Sequence, residues 1–184
     1  MKRTALALLL MLACAGVSLR AADLLILSAG ASYIRHADAF YRATYGNGSV
    51  QPEFEFGIRI SRGLYFMGGF GAIRASGKIP EFDFDAKSTQ SYLSAGLGYI
   101  GTIHGALKYK FEAGLADVMY TEDALNTRNS GSTLGYQAEA ALLVAGKVVF
   151  AGVQAGYIAA SETIGDVKFK LGGVRFGLLA GIRL

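Results

Sequence analysis

Glu53-Phe54-Glu55-Phe56-Gly57-Ile58-Arg59-Ile60-Ser61 alternates without a break, with Phe54, Phe56, Ile58 and Ile60 at one parity and Glu53, Glu55, Gly57, Arg59 and Ser61 at the other. Successive side chains of a strand point to opposite faces, so this stretch reads as a strand with one greasy and one polar face. Wound as a helix, it would scatter both sets around the axis. The polar face carries charge, but it is also where glycine begins to collect.

The same period of two recurs in seven further segments. The first carries Leu25, Leu27, Ala29, Ala31 and Tyr33; the fourth Leu93, Ala95, Leu97 and Tyr99; the fifth Leu107, Tyr109, Phe111, Ala113 and Leu115. Leu134 to Val144 forms the sixth, Val149 to Tyr157 the seventh, and Val174 to Leu184 the last. The third is ambiguous, because Leu64, Phe66, Phe70 and Ala72 compete with Tyr65, Met67 and Ile73 for the greasy face. Connections alternate between tight ones, at Arg62-Gly63, Gly101 to Gly105 and Gly146-Lys147, and longer polar ones near 36 to 50, 75 to 89, 121 to 133 and 161 to 167. Short turns at one end and long loops at the other are the pattern of a transmembrane barrel.

A soluble eight-stranded barrel would show the same alternation with its faces reversed, and the polar face decides between them. On a soluble barrel that face meets water and fills with Lys, Glu and Thr. Here it is mostly Gly, Ser and Ala, including Gly96, Gly98, Gly114, Gly135, Gly152, Gly156, Gly177 and Gly181, which suit the narrow interior left by eight strands. Aromatic residues collect where the strands would cross the lipid interfaces. Tyr33, Phe54, Tyr136 and Tyr157 fall near the loop end, and Phe66, Tyr99 and Tyr109 near the turn end. Trp is absent from both girdles. The expected fold is therefore all-β: an eight-stranded antiparallel up-and-down transmembrane β-barrel in the bacterial outer membrane. Its first and last strands pair, since an open edge in lipid would leave backbone groups unsatisfied. Helical spans within Ala138 to Ala160 are the structural rival, interrupted by Glu139, Lys147 and Gln154.

Composition agrees with a membrane residence. Hydrophobic residues make up 52% of the chain and charged residues 17%, a balance that is hard to keep soluble. Lys2 and Arg3 followed by the apolar run Ala5 to Leu12 read as a secretory signal, too short to span a bilayer. We take residues 1–21 as the signal, with cleavage between 15 and 22, and residues 22–184 as one barrel domain. Lys2, Arg3 and Arg20 leave with that signal, so 15 of the 18 basic residues face 14 acidic ones and no basic patch points to nucleic acid. Cys14 leaves too, which removes disulfides and thiolate metal sites; a lipoprotein reading of Ala13-Cys14 is disfavoured by bulky Leu12.

In pattern rather than in any sharp motif, the mature chain resembles the small outer-membrane barrels of the OmpA-like and OmpX-like kind. The end, Phe176-Gly177-Leu178-Leu179-Ala180-Gly181-Ile182-Arg183-Leu184, looks like the terminal strand that the family's assembly machinery reads, with Leu184 where the family usually has Phe or Trp. The resemblance implies outer-membrane lipid, lipopolysaccharide and the barrel-assembly machinery as partners, and a monomer.

Inward positions hold Glu53, Glu55, Arg59, Lys108, Lys110, Glu112, Glu139, Arg175 and Arg183, with Gln137 and Gln154 beside them. A mixed set of this kind pairs internally, because an unpaired buried charge costs several kcal/mol. The reading preferred over an ion path is a lumen-filling network, in which Arg59 is expected to meet Glu112 or Glu139. For chemistry the sequence offers little. His36 and His104 lie at opposite ends of a band about 25 Å tall, and His36 with Ser32 and Asp38 or Glu53 is the sole triad that can be assembled. No enzyme activity, cofactor or metal is expected. In the second long connection Pro80-Glu81-Phe82-Asp83-Phe84-Asp85 alternates acidic and aromatic residues, suiting a hairpin above the membrane or a contact surface. Glu122, Asp123, Glu162 and Asp166 add a weakly acidic rim, while Asn47-Gly48-Ser49 reads as a turn. The function expected is structural, surface-contacting or adhesive through the long loops, with a narrow porin-like pore or a lipid A-modifying enzyme as alternatives.

Overall fold

A computed structural model describes residues 24–80, 83–124, 127–164 and 167–184; the signal segment, Glu81, Phe82 and Asp166 lie outside them. Eight strands follow one another around a closed barrel: β1 (Leu25–His36), β2 (Gly48–Ser61), β3 (Leu64–Ile79), β4 (Phe84–His104), β5 (Leu107–Ala124), β6 (Thr127–Ala145), β7 (Val149–Ile164) and β8 (Val167–Arg183). All neighbours are antiparallel, and β1 closes the ring on β8 through pairs such as Ala29 with Ala180 and Tyr33 with Phe176. The stretch from Ala138 to Ala160, where helical spans were the rival reading, forms parts of β6 and β7.

The faces are those of a barrel in lipid. Phe54 is 62% exposed while its neighbour Glu53 is 2% exposed, and Phe111 is 56% exposed beside Glu112 at 5%. Leu97, Leu115, Leu142, Val153 and Leu178 continue the exposed apolar band around the wall. In water this surface would be far larger than the apolar patches soluble proteins tolerate. Along β3, Phe66 and Phe70 point outward and Tyr65, Met67 and Ile73 are buried in the lumen, which resolves the ambiguity of that segment. Tyr33, Phe54, Phe66, Tyr99, Tyr136 and Tyr157 are exposed; Tyr109 is half-buried between the rings of Tyr99, at 6.1 Å, and Phe111, at 5.5 Å.

Three of the four polar connections prove shorter than their composition suggests. The ladder runs on from Ala75 with Ser88 to Ile79 with Phe84, from Thr121 with Ser130 to Ala124 with Thr127, and from Ser161 with Lys170 to Ile164 with Val167. Polar residues on both faces belong here to hairpins rising above the membrane. Among the described residues only the 36 to 50 connection is a true excursion, and it holds a helix, α1 (Ala39–Tyr45). Asp38 caps it, its Oδ1 accepting from the Tyr41 N–H at 3.0 Å.

Candidate functional site: the charged lumen and its two chambers

Viewed from the turn end to the loop end, the lumen is layered. A lower apolar layer packs Ile26, Tyr65, Met67, Leu143, Phe150 and Leu179. An upper one packs Tyr92, Val118, Tyr120, Ile158 and Leu171. Between them lies a polar belt to which most strands contribute a buried group, because strand tilt brings residues of different sequence depth to one height.

Two cations organise this belt. Lys110 Nζ on β5 lies 2.6 Å from Glu55 Oε2 on β2, 2.7 Å from Glu139 Oε1 on β6 and 3.6 Å from Glu112 Oε2 on its own strand. Arg175 on β8 donates from Nη2 to Glu139 at 2.7 Å, and from Nη1 to Glu53 at 3.1 Å and to the Tyr92 hydroxyl at 2.5 Å. Its guanidinium carbon also stands 5.3 Å from the centre of the Tyr92 ring. Tyr92 in turn donates to Glu53 at 3.1 Å, and Ser32 donates to the same carboxylate at 2.5 Å. Gln154 reaches both Ser32 and Glu53, and Gln137 donates to Glu112 at 2.7 Å. Oxygens of Glu55, Glu112 and Glu139 lie within 4.8 Å of one another, the spacing of a cation site, and the Lys110 ammonium holds that position. β3 gives the belt room rather than charge: a Cβ on Gly71 would overlap the Tyr92 ring.

The charged residues singled out from the sequence thus divide. Glu53, Glu55, Lys110, Glu112, Glu139 and Arg175 meet in the belt. Arg59, Lys108 and Arg183 do not; they line a chamber of about 330 Å³ at the turn end together with Arg62. The meeting expected of Arg59 with Glu112 or Glu139 is made by Lys110, since the pairing of Arg59 with Tyr65 sets it close to the Arg62-Gly63 turn. Arg183 donates to the carbonyls of Gly146, at 2.5 Å, and Lys147, at 3.2 Å. Tyr92, which the sequence reading passed over, was detectable as an aromatic residue at an inward position between Leu93 and Ser91.

Ser32 and His36 have different partners, so the sole triad is not assembled. Ser32 is engaged with Glu53 and Gln154, whereas His36 Nε2 lies 3.3 Å from Ser49 Oγ and its ring packs 4.3 Å from that of Tyr41. Arg35, outward and exposed beyond Tyr33, marks the edge of the lipid, and His36 stands above it. Burial, aided by the charge of Arg42, pushes the His36 imidazole down to about 4.

At the loop end, α1 lies over the mouth. Beneath it, a second chamber of about 200 Å³ is walled by α1 and by strands from β3 to β8. Glu122 accepts there from Ser88 at 2.6 Å and from Tyr45 at 2.5 Å. Burial raises the Glu122 carboxyl above the usual carboxylate range and takes the Tyr41 hydroxyl up to about 12.

A closed, inside-out, eight-stranded ring with short turns at the end holding both termini has close counterparts among solved structures. Outer membrane protein OprG from Pseudomonas aeruginosa superposes with a TM-score of 0.68 at 13% identity, covering 89% of this chain and 96% of that one. The fold is that of the small outer-membrane β-barrels. Neisserial surface protein A matches this barrel with a TM-score of 0.62 at 17% identity, over 90% of this chain and 99% of that one. Ail, the attachment invasion locus protein of Yersinia pestis, matches at 0.54 and 13%, over 89% and 98%. No protein-family model matches the barrel's sequence, and neither does any curated protein.

Proposed function

We propose that this chain is an integral protein of the bacterial outer membrane that acts as a closed barrel, contributing to membrane integrity and presenting its loop-end hairpins for surface contact or adhesion. The observation that carries this reading is the belt across the lumen, where Lys110 joins β5 to β2 and β6 while Arg175 joins β8 to β2 and β6. Eight strands leave room for side chains and little more, and here those side chains are tied to one another. Ail is named for attachment and invasion, which accords with a contact role for a barrel of this shape.

Residues 1–21 would direct export, and the C-terminal strand would be read by the barrel-assembly machinery. Lipid and lipopolysaccharide would surround the apolar wall, and closure of β1 on β8 removes the edge that would call for a second subunit. Ser32 bound to Glu53, and His36 apart from both, favour a role without catalysis.

Planar-bilayer recording tests the central claim. The purified barrel should show no steady conductance, whereas the joint variant Lys110→Ala, Arg175→Ala should conduct. Steady conductance of the unaltered protein would overturn the closed-barrel reading in favour of a pore.

A further inference from the structure

The chamber under α1 combines features that the closed-barrel role does not use. Tyr41, Tyr45, Tyr120 and Phe169 supply ring surface, and Glu122 and Glu162 supply two carboxylates. Glu122 has both oxygens engaged, by Ser88 and Tyr45. The Glu162 carboxylate faces the Tyr120 hydroxyl, while its Oε2 is shielded from solvent and has no hydrogen-bond partner. Thr44, 6% exposed, lines the same chamber with its Oγ1 also lacking a partner. Asp38 and Lys170 stand at the rim.

Three unmet polar atoms in a mostly apolar wall, Glu162 Oε2 and the hydroxyl oxygens of Thr44 and Tyr41, ask for a donor that brings its own apolar body, since leaving buried polar groups unpaired is costly. Aromatic faces attract cations and a carboxylate attracts an ammonium, so both parts of the wall select one kind of guest. We propose that this chamber is a binding site for a small organic cation, an aryl- or alkylamine. Its ammonium meets Glu162 and Thr44, and its hydrocarbon part lies among Tyr41, Tyr120 and Phe169. At ~30 Å³ per water the chamber holds the volume of roughly seven waters, which a primary amine with one ring fills.

The roof of the site is built by close approach. A Cβ on Gly77 of β3 would overlap the backbone carbonyl of Thr44, so only glycine lets the end of α1 settle on the barrel rim. Bulk at position 77 lifts the helix that carries Tyr41, Thr44 and Tyr45 without touching the lipid-spanning wall.

Calorimetric titration of the detergent-solubilised full barrel with phenethylamine hydrochloride tests the proposal, with 2-phenylethanol and 3-phenylpropionate as uncharged and anionic controls. The amine should bind saturably, and Glu162→Gln should weaken it about tenfold or more, the scale of one lost charge-assisted hydrogen bond. Thr44→Val should weaken it less, and Gly77→Val should abolish it, with heat-modifiable gel migration verifying that each variant is a folded barrel. Equal binding of 2-phenylethanol would reduce the chamber to an apolar pocket and overturn the assignment. Amine binding that is unchanged in Glu162→Gln, or absent from the unaltered protein, would do the same.

Discussion

Lys110 Nζ and Glu55 Oε2 stand 2.6 Å apart across the lumen, although their strands, β5 and β2, are separated by two others around the ring. The contact is a strut between distant walls. Removing one partner of such a buried pair leaves charge without compensation, which costs more than the pair itself contributes.

Lys110→Met is accordingly expected to destabilise the barrel by about 3–5 kcal/mol, read as a lower urea midpoint in detergent. Adding Glu139→Gln removes one of the stranded carboxylates, so the double variant should lose less than the two single losses combined. Strict additivity would show that the two side chains are not energetically joined.

Leu178 is 66% exposed on the outer wall. An arginine there must either sit in hydrocarbon or distort the bilayer around it. Leu178→Arg should cost about 2–4 kcal/mol when the barrel folds into lipid vesicles, the depth-dependent penalty of a charge near the membrane midplane. An unaltered refolding free energy would mean that lipid does not cover this face.

His36 offers a pH test. Its imidazole is held neutral to about 4, below the ordinary 6.5, so folding disfavours the protonated form. That stabilisation is complete above the unfolded value and is lost as pH falls from about 6.5 toward 4. Urea midpoints of the parent protein should drop across this window more steeply than those of His36→Gln. Parallel curves would remove His36 as the source.

Asp38 holds α1 at both ends of its carboxylate, accepting from the Tyr41 N–H at 3.0 Å and from the Lys170 N–H at 3.2 Å. Asp38→Ala should cost about 1 kcal/mol of local helix stability. Limited proteolysis should therefore cleave within 37–47 sooner, while the heat-modifiable barrel band persists. Unchanged cleavage would show that the cap does not hold the helix.

The barrel was legible in single residues. Phe54 and Glu53 have opposite parity, and parity alone assigns them to lipid and lumen once glycine is seen to share the side of Glu53. That argument needs only the two-residue repeat of a strand, a property of the backbone. On β3 it stalled, because Gly68 and Gly69 interrupt the side-chain pattern and leave two rows competing. The helix α1 had a signal in Asp38 ahead of Tyr41, Thr44 and Tyr45 at helical spacing, overlooked inside a stretch read as a connection.

What the amino-acid order determined by itself was how many strands there are and, on every strand but β3, which side chains face inward. Which inward charges meet was decided only by tertiary structure. Tilt and register set the height of each residue in the lumen, so Arg59 was carried down beside Arg62 while Lys110, from the opposite wall, reached Glu55 and Glu139. Distances along a chain carry no information about heights on strands three places apart, and a charge pair depends on those heights to within an ångström.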